Sequence, residues 1–492
     1  MTAQLAFDNS YARLPARFYA RVAPAQPPAP SLIRVNRELA AELGFDPAWL
    51  AGPDGLEVLS GRRVAGGSDP IALAYAGHQF GSFTPQLGDG RAILLGEVID
   101  REGRRRDIQL KGAGRTPFSR GGDGRAAIGP VLREYVVSEA MAALGIPTTR
   151  ALAAVATGDQ VYRETPLPGA VLTRVASSHI RVGTFQYFAA RGDIEGVRLL
   201  ADHVISRHYP EAASAERPYR ALLEAVVGAQ ADLITRWLLV GFIHGVMNTD
   251  NMSVAGETID YGPCAFMDAY DPGTVFSSID RGGRYAYGNQ PTIAHWNLTR
   301  FAETLLPLLA QDEDAAIADA QEVLAAFGLR FEQAYYDGLR RKFGLATAQD
   351  GDVELVGGVL KALADNKVDF TLFFRRLADA QTPGEGEPPL RALFADPAAL
   401  DALLQRWRDR LAREPNAAAL RRDSMRAVNP AFIPRNHRIE AMIKAAIERN
   451  DFTPVDELMA VLSRPFEDQP GFERYAEPPH PDERVLATFC GT

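Results

Sequence analysis

The chain has 492 residues, of which 46% are apolar and 23% are charged, and it carries a formal net charge of −9. This composition is typical of a globular protein large enough for two or more core-bearing units, and the acidic balance argues against general nucleic-acid or anionic-membrane binding. The sequence contains no apolar run of about 18 residues and no signal-peptide pattern, which predicts a cytoplasmic protein without membrane spans. We expect a monomer.

The first part of the chain favours strands, glycine-rich turns and one strong helix. After a mixed segment over residues 1–70, with a short helix at 36–43, strands are expected at 91–98, 107–110, 161–164 and 170–175. A helix is expected at 130–144, where Gly145 can end it. These elements predict a small strand-rich unit over 71–175.

The second part favours helices. Residues 217–242 carry an apolar face at helical spacing and run directly into the polar stretch HGVMNTDNMSV, residues 244–254. A tight hairpin is expected at 253–259. Helical patterns dominate from Trp296 onward, so we expect a mainly helical unit over 176–310 and a helical extension over 311–492.

The polar stretch is similar to the protein-kinase catalytic loop, H-R-D-x-x-x-x-N. Counted from His244, Asn251 stands at the metal-binding position, but Val246 replaces the catalytic base. Asp260, in the DFG-like triplet Asp-Tyr-Gly, follows the expected hairpin. An Asn and an Asp at the two ends of a hairpin can hold one Mg²⁺, so we favour a metal site over a chance pairing.

Two upstream segments carry residues suited to phosphate binding. Gly88 and Gly90 allow close approach of a phosphate to the backbone and Arg91 adds a cation, although an ordinary hairpin turn has the same pattern. Lys111 at a strand end and Glu134 in the next helix match the kinase pair in which a glutamate positions a phosphate-binding lysine. A surface salt bridge is the alternative for this pair.

Further arginines lie between and beyond these segments. Residues 112–130 are glycine-rich and contain Arg115, Arg120 and Arg125, which suits either an anion-binding loop or a solvated one. Arg174 and Arg181 flank the stretch VASSHI. Their guanidinium groups suit bidentate phosphate binding, although many arginines are simply surface residues.

Five strings together closely resemble the selenoprotein O family, also called YdiU, over nearly the full chain. They are YAGHQFGSFTPQLGDGRA (75–92), IQLKGAGRTPFSRGGDGRA (108–126), VLREY (131–135), HGVMNTDNMSV (244–254) and IDYGPCAFMD (259–268). The resemblance implies an α+β, protein-kinase-like fold with a small strand-rich N-lobe and a larger, mainly helical C-lobe. It also implies a protein adenylyltransferase that binds ATP flipped relative to kinases and transfers AMP to Ser, Thr or Tyr hydroxyls of protein substrates. UMP transfer from UTP with Mn²⁺ is attributed to bacterial members.

The resemblance carries over to individual residues. It implies that Asp250 is the proton acceptor, that Asn251 and Asp260 hold Mg²⁺ or Mn²⁺, and that Glu134 supports Lys111. The nucleotide contacts that it implies are Gly88, Gly90, Arg91, Lys111, Asp123, Gly124, Arg174, Arg181 and Asp260.

The two cysteines raise a separate hypothesis. Cys264 lies just after the Asp-Tyr-Gly triplet, and Cys490 is third from the end, where some family members carry selenocysteine. They could form a redox-sensitive clamp between the C-terminal tail and the active site. Two unrelated reduced thiols are the alternative in a reducing cytoplasm.

Two other functions remain open from the sequence. A small-molecule phosphotransferase of the aminoglycoside-kinase type shares the metal segment, but it would need a base at Val246 and would release ADP. A catalytically silent pseudokinase would bind ATP as a scaffold. Loss of catalysis would more naturally accompany loss of the metal ligands, yet Asn251 and Asp260 are both present.

Overall fold

The computed structural model describes residues 5–415 and 417–489 and shows an α+β fold, as expected. The N-terminal half holds one large antiparallel sheet and the rest of the chain is mainly helical. The first ten strands, β1 to β10, are Tyr19–Arg21, Ser31–Val35, Ile71–Leu73, Gly77–Gln79, Ser82–Thr84, Ala92–Ile99, Arg105–Lys111, Ala126–Ala127, Arg150–Tyr162 and Pro166–Ala176.

Helices follow in two groups. The helices α1 to α8 are Arg37–Glu42, Pro47–Leu50, Pro53–Leu59, Ile128–Ala143, Val182–Ala189, Ile194–His208, Pro218–Val240 and Gln290–Leu309. The helices α9 to α16 are Glu313–Lys342, Asp352–Asp365, Phe370–Leu377, Glu387–Arg391, Ala398–Leu411, Ala418–Arg426, Asn436–Arg449 and Thr453–Leu462. Within the described residues, no helix combines the length and apolarity needed to cross a membrane.

The sheet has the strand order β1-β3-β6-β7-β10-β9-β2, with β8 paired to β10. Apolar side chains cover both of its faces. In β6, Ile93 and Leu95 join a core with helices α1 and α3, whereas Leu94 joins the larger core that contains α4. This alternation follows from the two-residue period of a strand. β1 and β2, at the edges of the sheet, come from the first 70 residues.

Helix α4 confirms the helix expected at 130–144. Most of its residues are buried, because the sheet covers one side and α15 and α16 pack on another. Gly145, with φ of +74°, follows its last turn. The polar residues inside α4 are paired: Arg133 Nη1, for example, lies 2.9 Å from Asn436 Oδ1.

The long helix expected at 217–242 is also present, as α7, and it ends at Gly241 with φ of +77°. The chain then enters β11, Phe242–Ile243, which pairs antiparallel with β12, Ala265–Phe266. We call residues 244–264 the catalytic segment, after the kinase catalytic loop to which residues 244–254 are similar. Its two ends are therefore held together by a two-stranded sheet at the end of α7.

The tight hairpin expected at 253–259 is wrong. Ser253 bridges Arg181 in the antiparallel sense, and Thr258 bridges Thr148 in the parallel sense. The Gly256 N–H donates to the Ser253 carbonyl, so the chain does turn there. The two arms do not pair with each other, because each satisfies its backbone groups against a different neighbouring segment.

Candidate active site

A cleft of about 890 Å³ is lined by both the sheet and the catalytic segment. Its volume falls in the range of small-molecule sites. Its lining includes eleven of the residues expected from the sequence: Gly88, Gly90, Arg91, Lys111, Asp123, Gly124, Arg174, Arg181, Asp250, Asn251 and Asp260. Eight cationic and four carboxylate side chains line it in total, so a chain with net charge −9 has a cationic cleft.

Asp260 is the centre of a charge cluster in this cleft. Lys111 Nζ lies 2.8 Å from Asp260 Oδ1 and 2.6 Å from Glu134 Oε2. Arg174 Nη1 lies 2.7 Å from Asp260 Oδ1, and Arg181 Nη1 donates to Asp260 Oδ2. Burial alone would raise the pKa of Asp260, but the charges of Arg181, Lys111 and Arg174 hold it well below its ordinary value.

Strand register explains how these cations converge. Gln109 and Arg174 are directly opposite each other on β7 and β10, and Lys111 lies two residues beyond Gln109. Residues that are opposite or two apart share one face of a sheet, so all three side chains point to the same side. Asp260 meets them with φ of +64°, a left-handed conformation that is uncommon for a residue with a Cβ.

Arg181 reaches the cluster from another direction. The Val182 N–H donates to the Met252 carbonyl, and the Val254 N–H donates to the Ile180 carbonyl. The chain at 180–182 therefore runs beside the catalytic segment. Arg181 Nη1 also donates to the Asp250 carbonyl at 2.6 Å, so one guanidinium contacts both Asp250 and Asp260.

Two buried residues, Gln109 and Asp89, and the partly buried Tyr75 support these arginines, and the sequence did not point to any of them individually. Arg174 Nη2 donates to Gln109 Oε1 at 2.6 Å, and Gln109 Nε2 donates to Asp89 Oδ2 at 3.2 Å. The Arg181 guanidinium lies 4.7 Å from the ring centre of Tyr75. Burial raises the pKa of Asp89 to about 6, although the charge of Arg181 opposes the rise. The spacing of Gln109 two residues before Lys111 was the available signal.

Asp250 lies in a single 3₁₀ turn, Thr249–Asn251, and is only 7% exposed. Its Oδ2 accepts from Gln79 Nε2 at 3.1 Å, whereas its buried Oδ1 has no hydrogen-bond partner among the described residues. Burial raises the pKa of Asp250 to about 6, and the charge of Arg181 limits that rise. The carboxylate is therefore poised to exchange a proton near neutral pH.

Asn251 is held by its amide nitrogen, which donates to the Val246 carbonyl at 2.9 Å. Its side-chain oxygen is thus the atom that would face a cation. No group of three or more His, Cys, Asp or Glu side chains with metal-binding geometry occurs in 5–415 or 417–489. Asn251 and Asp260 offer two hard oxygen ligands, a set that fits Mg²⁺ when phosphate oxygens supply further ligands.

Gly88 allows close packing between two loops, and Gly124 allows close packing within the second of them. A Cβ on Gly88 would lie 2.4 Å from the Phe118 ring, and one on Gly124 would lie 2.1 Å from the Gly114 carbonyl oxygen. The loop over 112–125 therefore packs directly on the Gly88–Gly90 turn. Asp123 is not free on this loop, since Arg163 Nη1 lies 2.9 Å from its Oδ2. That bond lowers the pKa of Asp123.

Residues 1–463 match the family model described as "Protein adenylyltransferase SelO". The chain belongs to the SelO family. Its relatives include the protein nucleotidyltransferase YdiU of Methylorubrum populi and that of Bradyrhizobium sp. (strain BTAi1), each 67% identical to this chain. Both alignments cover 100% of the two chains compared. The family expected from the sequence strings is confirmed.

Only one of the two cysteines of this SelO-family chain can be placed. Cys264 is fully buried at the end of the catalytic segment, and its carbonyl accepts from Arg133 Nη1 at 3.2 Å. Cys490 lies outside the described residues. The preceding tail is anchored nearby, because Thr488 Oγ1 donates to the carbonyl of Pro263, the residue before Cys264, at 2.6 Å.

Proposed function

We propose that the protein transfers AMP from ATP to Ser, Thr or Tyr hydroxyls of protein substrates and releases pyrophosphate. The observation that carries this proposal is the position of Asp250. Its carboxylate is buried and partly unpaired, and its main-chain carbonyl accepts from Arg181, which also donates to Asp260 in the cationic cluster. A proton acceptor and a phosphate-binding cluster therefore lie in one cleft. Membership of a family of protein adenylyltransferases supports the same activity.

We also propose a protein-kinase-like, two-lobed arrangement, with an N-lobe over 71–175, a C-lobe over 176–310, and extensions over 1–70 and 311–492. The Lys111–Glu134 pair at 2.6 Å, between strand β7 and helix α4, supports this proposal. So does the position of Asn251 and Asp260 in one segment after the long helix α7.

In the proposed reaction, Asp250 accepts the proton of the substrate hydroxyl as its oxygen attacks the α-phosphorus of ATP. The bond between the α-phosphorus and the oxygen that bridges to the β-phosphorus breaks, and pyrophosphate leaves. Lys111, Arg174 and Arg181 neutralise the charge that develops on the phosphates. These three cations are paired with the carboxylate of Asp260.

Asn251 and Asp260 are the residues that would hold Mg²⁺ or Mn²⁺. The low pKa of Asp260 keeps its carboxylate ionised and able to act as a ligand. A bound divalent ion would supply charge neutralisation at the phosphate oxygens. UTP is an alternative nucleotide, with UMP as the transferred group.

Val246 separates this proposal from ordinary kinase chemistry. It lies in the cleft lining at the position of the kinase base, where its side chain cannot accept a proton. Incubation of a protein lysate with α-labelled and γ-labelled ATP tests the difference. Protein labelled only from α-labelled ATP is expected. Small-molecule label from γ-labelled ATP would support a phosphotransferase, and no transferred label would support a silent scaffold.

We further propose that Cys264 and Cys490 form a redox-sensitive pair. The contact between Thr488 and Pro263 supports this proposal, because it holds the tail two residues before Cys490 beside the residue before Cys264. Exchange with a small disulfide would join the two sulfurs and release two thiols. Mass spectrometry of unreduced peptides tests it, with Cys490→Ser as the control. Two unmodified thiols after oxidation would contradict it.

A further inference from the structure

A short hairpin that the reaction scheme does not use lies directly on Asp250. Strand β4 pairs with β5 through residues 77–84. The His78 N–H donates to Thr249 Oγ1 at 2.7 Å, and the Phe80 N–H donates to Asn248 Oδ1 at 3.1 Å. The hairpin backbone is thus tied to the two residues that precede Asp250.

A second set of contacts makes this attachment rigid. Thr249 Oγ1 donates to Gln186 Oε1 at 2.6 Å, and Gln186 Nε2 donates to His78 Nδ1 at 2.8 Å. The hairpin, the 3₁₀ turn at Thr249–Asn251 and helix α5 therefore form one closed hydrogen-bonded unit. A side chain that projects from this hairpin has a defined position relative to Asp250.

Both carboxylate oxygens of Asp250 meet this hairpin. Gln79 Nε2 lies 3.1 Å from Oδ2, while a Cβ on Gly77 would lie 2.5 Å from Oδ1. Gly77 therefore leaves Oδ1 the space it needs, and Gln79 contacts the other oxygen. Among the described residues, the Gln79 amide is the only side-chain group that donates a hydrogen bond to this carboxylate.

We propose that Gln79 is a positioning residue, whose amide fixes the orientation of the Asp250 carboxylate for proton transfer from the acceptor hydroxyl. The proposal rests on the proposed role of Asp250 as proton acceptor. The terminal torsion of an aspartate is soft, so a single directed hydrogen bond has a large effect on where the two oxygens point.

Two substitutions test this role through different physical effects. Gln79→Leu removes the donor at nearly constant volume, and Gln79→Glu places a second carboxyl beside Asp250. We expect Gln79→Leu to lower kcat for transfer of α-label about tenfold, as is typical for loss of a hydrogen bond to a charged group, and Gln79→Glu to lower it further. The KM for ATP should change less than about twofold, since Gln79 acts on the proton acceptor and not on the phosphates.

The split between kcat and KM gives a readout that a merely structural role would not produce, since a defect confined to the orientation of Asp250 lowers kcat without a matching rise in the KM for ATP. Gln405→Leu is a matched control: the Gln405 amide donates to Asp409 Oδ1 at 2.8 Å on the exposed surface of α13. It should leave kcat and the KM for ATP unchanged.

The outcomes separate this proposal from the proposed function. Transfer that persists in Asp250→Asn would refute the role of Asp250. Wild-type kcat in Gln79→Leu would overturn the role of Gln79 alone. A loss of kcat accompanied by an equal loss of ATP affinity would also overturn the role of Gln79, because it would indicate local disruption of the cleft.

Discussion

Asp250→Asn should make the protein inactive and more stable at the same time. Burial raises the pKa of Asp250 from its ordinary value of 3.8 to about 6. At about 1.4 kcal/mol per pH unit, this difference corresponds to about 3 kcal/mol that the ionised carboxylate costs the folded state. The neutral amide is nearly isosteric with the carboxylate, and its oxygen can still accept from Gln79, so most of this cost should disappear.

The pH dependence of the gain follows from the direction of the shift. Below about pH 4, Asp250 is protonated in both the folded and the unfolded state, and its ionisation costs nothing. The cost grows as pH rises from about 4 to about 6 and is constant above that, because the carboxylate is then ionised in both states. The variant should therefore gain up to about 3 kcal/mol at pH 8 and about half as much at pH 5.

Urea unfolding of the wild type and of Asp250→Asn at pH 8 and pH 5 measures this gain. Asp350→Asn, an exposed substitution of the same type, controls for the general loss of one negative charge. Transfer of α-label should be abolished only in Asp250→Asn. Equal gains at both pH values, or no gain at pH 8, would refute the argument that burial sets the pKa of Asp250.

Other perturbations of the same cleft have distinct expected results. Asp260→Ala should abolish transfer and destabilise the ligand-free protein by about 3 kcal/mol, since it leaves Lys111, Arg174 and Arg181 without their shared carboxylate. Pyrophosphate should then raise the melting temperature of this variant more than that of the wild type, and an equal rise would contradict the cluster. Gly77→Ala should lower kcat severely, because its Cβ would lie 2.5 Å from Asp250 Oδ1, and should change the far-UV circular dichroism spectrum little. Gly66→Ala is the control and should leave kcat unchanged, because the space around Gly66 is open. Chelation of divalent ions by EDTA should abolish transfer, and Mg²⁺ or Mn²⁺ should restore it; an undiminished rate after chelation would remove the metal assignment at Asn251 and Asp260.

Local sequence signals were sufficient for the main elements of the fold. The helix at 130–144 was predictable together with Gly145, which ends it, and the long helix at 217–242 was predictable from its apolar periodicity, whereas its end at Gly241 was not predicted. Strands β6 and β7 were similarly predictable. These features depend on residues within a few positions of one another, so a single sequence contains all the information that they require.

Tertiary structure decided which side chains meet in the cleft. Gln79 and Asp250 are 171 positions apart, and Lys111 and Asp260 are 149 apart, so no local pattern could pair them. The prediction of a hairpin at 253–259 was wrong for the same reason, because its two arms pair with distant residues, Arg181 and Thr148, and not with each other. The sequence by itself determined helices α4 and α7, strands β6 and β7, and the types of residue available for phosphate chemistry, whereas strand β9, Arg150–Tyr162, was expected only at 161–164. Only folding determined the pairing of Asp250 with Gln79 and the raised pKa, because burial and distance are properties of the packed chain.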